Sequence, residues 1–170
     1  MELKFNKNIW IKVFGVANHK LRLTVEGEYS ITKPRDAARI TQIIKQTCMQ
    51  KKIHVNRIID LTAGMGGNIL DFFNEKPFFK EIIAVEKTKL HYDILKNNML
   101  VLYKPIHVVH DCALQFINNN LNNKNTIVFL DPPWGGPTYK KNILVRLKLN
   151  NIYIIDIFKL LLSNININLI

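Results

Sequence analysis

A chain of 170 residues with 48% hydrophobic and 22% charged side chains has the composition of a globular protein rather than a disordered one, and is long enough for a single domain with one good core. Its 24 Lys and Arg against 13 Asp and Glu give a formal charge of +11, and that surplus points to a polyanionic partner, most simply nucleic acid. Cys48 and Cys112 are too few for a disulfide framework or a cysteine-type zinc site, so a reducing intracellular compartment, nucleus or cytoplasm, is expected. The N-terminal MELKFNKNIW lacks the apolar stretch of a signal peptide, and residues 152–162 are interrupted by Asp156 and Lys159 and too short to span a bilayer. Abundant Asn, Ile and Lys, as in NNNLNNKN and NININLI, fit an AT-rich genome, viral or protist.

Along the chain, residues 1–33 read as an N-terminal extension containing Trp10, Phe14 and several basic side chains. Pro34 suits the first turn of a helix, where its missing N–H costs nothing, and Ala37, Ile40, Ile44 and Cys48 then share one face, predicting a helix over 34–51. From Arg57 onward, apolar tetrads at 58–61, 82–85, 106–109 and 127–130 alternate with helix-like stretches at 69–73, 91–102 and 113–121. Tetrads this continuous predict parallel strands buried on both faces, and the rhythm predicts a doubly wound, Rossmann-like α/β sheet over 34–170. Residues 152–162 read as one more helix and NININLI as a last strand. Ligands of such sheets lie beyond the carboxyl ends of the strands.

Those ends carry the chemistry. The first strand runs into DLTAGMGGN, where Gly64, Gly66 and Gly67 let backbone turn tightly against a ligand; no Lys-Ser/Thr follows, so this is not a phosphate-binding P-loop. Glu86 ends the second strand, placed to accept the hydroxyls of a ribose or to stand in solvent beside Lys87. Asp111 follows the third, able to accept from an adenine amine or to cap the helix from Ala113. His107 and His110 are three apart on a strand and point to opposite faces, so no metal site is expected from them. The fourth strand ends in DPPWGGPTYK, residues 131–140. Its Pro132-Pro133 corner fixes the Asp131 acceptors beside Trp134, whose indole can either fill the core or stack a planar base. A rigid acceptor of this kind can bind the exocyclic amine of such a base and aim its lone pair at a methyl group.

DPPWGGPTY resembles the acceptor motif of the trimethylguanosine synthases, the RNA cap guanine-N2 methyltransferases. DLTAGMGGNILDFF resembles that family's cofactor loop, and KLRLTVEGEYSITKP, residues 20–34, the segment before its first sheet-packed helix. The resemblance implies a class I S-adenosylmethionine-dependent methyltransferase acting on the N7-methylguanosine cap at RNA 5′ ends. It implies donor contacts from Ser30, Thr32, Asp60, Thr62, Gly64, Gly66, Glu86, Asp111 and Asp131, with the extension contributing to the site. Asp131, Pro132 and Trp134 would be catalytic. Trp134, Pro137, Tyr139 and Lys140 would bind the cap nucleoside, and Lys140, Lys141 and Arg146 would reach its phosphates by charge and proximity. Class I sheets carry seven strands, so this one is expected to lack the last two. An amino-methyltransferase acting on an internal RNA or DNA base, and a cap- or RNA-binding module without catalysis, are the alternatives.

Overall fold

The computed structural model describes residues 1–75, 78–120, 125–134, 146–163 and 167–168. Before the sheet come α1 (Lys7–Phe14), α2 (Val25–Ser30) and α3 (Pro34–Gln50). Then β1 (Arg57–Asp60), α4 (Gly67–Asn74), β2 (Glu81–Glu86), α5 (Lys89–Val101), β3 (His107–His110), α6 (Ala113–Asn120) and β4 (Thr126–Phe129) follow in alternation. The chain continues with β5 (Lys148–Leu149), β6 (Ile152–Tyr153), α7 (Ile154–Leu162) and β7 (Ile167–Asn168).

Five strands form one parallel sheet in the order β3-β2-β1-β4-β7, with no antiparallel edge pair among the described residues. The order reverses between β1 and β4, which opens the crevice where open α/β sheets take their ligands. Alternation along the strands feeds two cores. Ile58, Ile82, Ala84 and Ile127 face Ile44, Cys48, Ile69, Phe72, Leu95 and Met99 from α3, α4 and α5. Ile59, Ile83, Val85 and Val128 face Phe116, Ile117, Ile157 and Leu161 from α6 and α7. This is the three-layer arrangement read from the sequence, with each strand displaced by one residue at most from its tetrad.

Burial on both faces fails for one strand. β3 is one of the two edge strands, and its four residues are exposed or half-buried because, among the described residues, no strand pairs with its outer side. A second difference lies at residues 148–153. Asn150 and Asn151 take left-handed φ values of 51° and 65°, a two-residue turn that pairs Leu149 with Ile152 in a short antiparallel hairpin. The helix expected from Ile152 therefore begins two residues later, at Ile154.

The N-terminal residues are packed rather than trailing. Asn6 caps α1 by accepting from the Asn8 and Ile9 amides, and Thr24 caps α2 by accepting from Gly27 N at 2.9 Å. Trp10, Val13, Phe14, Leu21, Leu23 and Ile31 form a third apolar cluster with Met65 and Ile94. The buried Trp10 indole donates to the Leu21 carbonyl at 3.1 Å, and Asn98, wholly buried on α5, exchanges hydrogen bonds with the backbone of Arg22. The two cysteines are both free thiols. Among the described residues, no helix is long and apolar enough to cross a membrane, and no group of His, Cys, Asp or Glu is placed to hold a metal.

Candidate functional site

The tip of β1 is a tight hydrogen-bonded bend. Asp60 is buried, and its Oδ1 accepts from the Thr62 amide at 2.9 Å. Burial pushes the Asp60 carboxyl up to about 7; the Thr62 amide opposes this, while the nearby Asp131 and Glu86 charges add to it. Beyond Thr62, the Ala63 amide donates to the Val85 carbonyl at 3.0 Å and Gly64 N to Glu86 Oε2 at 2.9 Å. Gly64 and Gly66 have φ values of 54° and 100°, which only glycine adopts readily. Gly67 opens α4 so close to the extension that a Cβ there would stand 2.5 Å from the Thr32 carbonyl oxygen.

Glu86 is buried, and both its oxygens are engaged. Oε2 holds the glycine bend, and Oε1 accepts from Thr88 N at 2.7 Å at the start of α5. It is therefore a brace between two strand tips, and it does not pair with Lys87, which donates to Asn150 Oδ1 at 2.7 Å. A carboxylate has about four acceptor positions, so two are left for a ligand's hydroxyls.

At the tip of β4, Asp131 N donates to Thr62 Oγ1 at 2.8 Å, spanning the crevice between β1 and β4. Pro132 is buried and Pro133 is exposed. Trp134 is 51% exposed, so it does not fill the core, and its Nε1 donates to Asp131 Oδ1 at 3.1 Å. One residue pair thus presents a fixed aromatic face and a carboxylate side by side.

These parts share a cleft of about 990 Å³. Ser30, Thr32, Thr62, Gly64, Glu86, Asp131, Pro132 and Trp134, all expected at the site from the sequence, line it. Asp60 lies buried beneath it. Gly66 is not in its wall, and neither is Asp111, whose carboxylate turns back to accept from Cys112 N at 2.7 Å. Arg146 is exposed and outside the wall. Pro137, Tyr139, Lys140 and Lys141 fall outside the described residues.

The sequence reading missed three parts of the wall. Tyr29 and Glu26 come from α2, too short a helix for periodicity to reveal. Lys148, Leu149, Asn150 and Asn151 come from the hairpin, whose only sequence signal was an Asn-Asn pair between two short apolar runs. Asn68 comes from the first turn of α4; its Nδ2 donates to Thr32 Oγ1 at 3.1 Å, while its buried Oδ1 has no partner. An orphaned buried acceptor, two hydroxyls and two cleft-facing carboxylates suit a ligand bearing positive charge, N–H donors and hydroxyl groups.

A family model described as RNA cap guanine-N2 methyltransferase matches residues 55–169. An uncharacterized protein of Acanthamoeba polyphaga mimivirus is 36% identical over 91 residues, covering 53% of this chain and 34% of its own. The trimethylguanosine synthase of Schizosaccharomyces pombe is 24% identical over 164 residues, covering 91% of this chain and 58% of its own. The chain thus spans between about a third and three fifths of the length of these relatives. Among solved structures, an S-adenosylmethionine-dependent methyltransferase from Clostridium acetobutylicum superposes with a TM-score of 0.46 at 18% identity, over 56% of this chain and 36% of that one.

Proposed function

The chain belongs to the RNA cap guanine-N2 methyltransferase family, and from that premise we propose that it methylates the exocyclic N2 of N7-methylguanosine at RNA 5′ ends. S-adenosylmethionine, the methyl donor of the family, supplies an electrophilic methyl group on a positively charged sulfur. The cleft suits it: Asn68 Oδ1 and the Ser30 and Thr32 hydroxyls offer partners for an amino-acid head, and Glu86 has acceptor positions for ribose hydroxyls.

The observation that carries the reading is the continuity of one cleft from the glycine bend to a half-exposed indole hydrogen-bonded to a carboxylate. In this reading Trp134 stacks the base. An N7-methylated guanine is cationic, and it gains cation–π attraction that an unmethylated one lacks. Asp131 accepts an N–H of the amine, which turns the nitrogen lone pair towards the methyl group. Bound S-adenosylmethionine would supply the methyl group, and Asp131 would accept the proton that the amine loses once methylated. Catalysis of this kind is mostly alignment. Lys140, Lys141 and Arg146 are assigned to the cap phosphates on charge and sequence position.

The test is transfer of labelled methyl from S-adenosylmethionine to N7-methyl-GDP, with GDP as control. Label in N7-methyl-GDP alone is the expected result. Equal transfer to GDP would point to an internal base as substrate, and binding without transfer to a module that has lost catalysis. In parallel, Trp134→Ala is expected to weaken N7-methyl-GDP by about two- to thirtyfold in calorimetry, from the roughly 0.5–2 kcal/mol such contacts contribute, and to spare S-adenosylmethionine. Unchanged affinity for N7-methyl-GDP would refute the stacking role.

A further inference from the structure

We propose that Thr62 is a positioning residue for the acceptor motif: its hydroxyl hangs the Asp131-Pro132-Pro133-Trp134 turn from the tip of β1 and so sets the separation between acceptor amine and donor methyl. This role rests on the function proposed above.

The parallel ladder between β1 and β4 pairs Asp60 with Phe129 as its last register position, and its last bond runs from Leu61 N to the Phe129 carbonyl at 3.1 Å. Two residues on, where the ladder would continue, Asp131 N meets the Thr62 side chain instead of a carbonyl, at 2.8 Å. That amide is the last backbone N–H before two residues that have none, because Pro132 and Pro133 carry no donor. Anchoring before a stiff corner fixes everything beyond it, including the carboxylate that holds the Trp134 indole.

The Thr62 hydroxyl is itself aimed. Its oxygen lies 3.5 Å from Asp60 Oδ1, which also holds the Thr62 amide at 2.9 Å. With its hydrogen directed towards Asp60 and a lone pair given to Asp131 N, both of its roles are used by protein partners. The hydroxyl is thus engaged by the D-P-P turn at the border of the cleft.

Thr62→Val keeps the shape and removes the hydroxyl, and Thr62→Ser keeps the hydroxyl and removes a methyl. With N7-methyl-GDP as acceptor, Thr62→Val is expected to lower kcat about ten- to a hundredfold, the scale of a misaligned bimolecular step. KM for N7-methyl-GDP and the affinity for S-adenosylhomocysteine are expected to stay within about twofold. Thr62→Ser is expected to recover most of kcat. Thr62→Ala is the second probe should Val prove too crowded to fold, with the same loss expected. An active wild type whose Val and Ala variants keep full kcat overturns this role alone, as does a Ser variant as slow as Val, or a loss seen chiefly in S-adenosylhomocysteine affinity. A wild type inactive on N7-methyl-GDP overturns the functional reading first.

Discussion

Asp60 shows how much a single buried carboxyl can link. It sits under the bend that carries Thr62 and Gly64, within the influence of two other acids, and holds its proton to about pH 7. The unfolded chain releases that proton near the ordinary carboxylate range of about 4. Between these values the folded form binds more protons than the unfolded one, so stability falls as pH rises through the window and levels off above it. The whole difference is bounded by roughly 4 kcal/mol, from about 1.4 kcal/mol per pH unit. Asp60→Asn keeps an acceptor for Thr62 N and removes the charge. Urea titrations at pH 5 and pH 8 are expected to show a drop in wild-type stability that the variant lacks; equal drops would show that Asp60 titrates normally. The identity of Glu86 and Asp131 as strand-tip acids was legible in the sequence, since each follows an apolar tetrad, while Asp60 was reached through the family resemblance. Their partners were not. That Glu86 braces the glycine bend depends on β1 and β2 lying side by side, which periodicity alone does not specify.

The glycine bend makes its predictions at the level of an element. Its two left-handed glycines face different surroundings. A Cβ on Gly66 would stand 2.8 Å from Leu95 Cδ1 and 2.9 Å from Met99 Cε, whereas a Cβ on Gly64 would meet nothing within 4 Å. Gly66→Ala therefore adds crowding of about 1–3 kcal/mol to the backbone strain, and Gly64→Ala carries only the strain, roughly 1–2 kcal/mol. Gly64 lines the cleft and Gly66 does not. Thermal melts are expected to rank Gly66→Ala as the less stable, and calorimetry to rank Gly64→Ala as the weaker binder of S-adenosylmethionine relative to its fold. The reverse ranking would mean that the bend is not oriented as described. The glycines themselves were visible in the sequence; the division of labour between them was not, because it depends on α5 lying behind one and open space before the other. The hairpin tells a similar story. Residues 150 and 151 carry a turn signal, but its strands are two residues each, too short to show alternation.

Over the whole molecule, the doubly wound α/β class and the residues of both sheet-facing cores follow from tetrads and amphipathic stretches that could be read directly, whereas the strand order β3-β2-β1-β4-β7 could not. The N-terminal residues could not, since their apolar side chains are matched to Met65 and Ile94, far along the chain. The excess of 24 basic over 13 acidic residues is far more than a mononucleotide could use. An RNA longer than its cap would release condensed counterions from each phosphate it brings to this surface. Raising salt from about 50 to 200 mM is therefore expected to increase KM for a capped oligonucleotide by tenfold or more while changing KM for N7-methyl-GDP far less. Parallel responses would confine recognition to the cap.

The walls of the cleft are drawn from residues as far apart as Glu26 and Asn151. During synthesis, then, the glycine bend and its neighbouring strand tips are made well before the hairpin that completes the enclosure. A nascent chain that has made only the glycine bend holds part of a site, and the wall is whole once residues 148–151 have docked. Small ligands bound there would act as a latch on the finished molecule, favouring it over every partly assembled form.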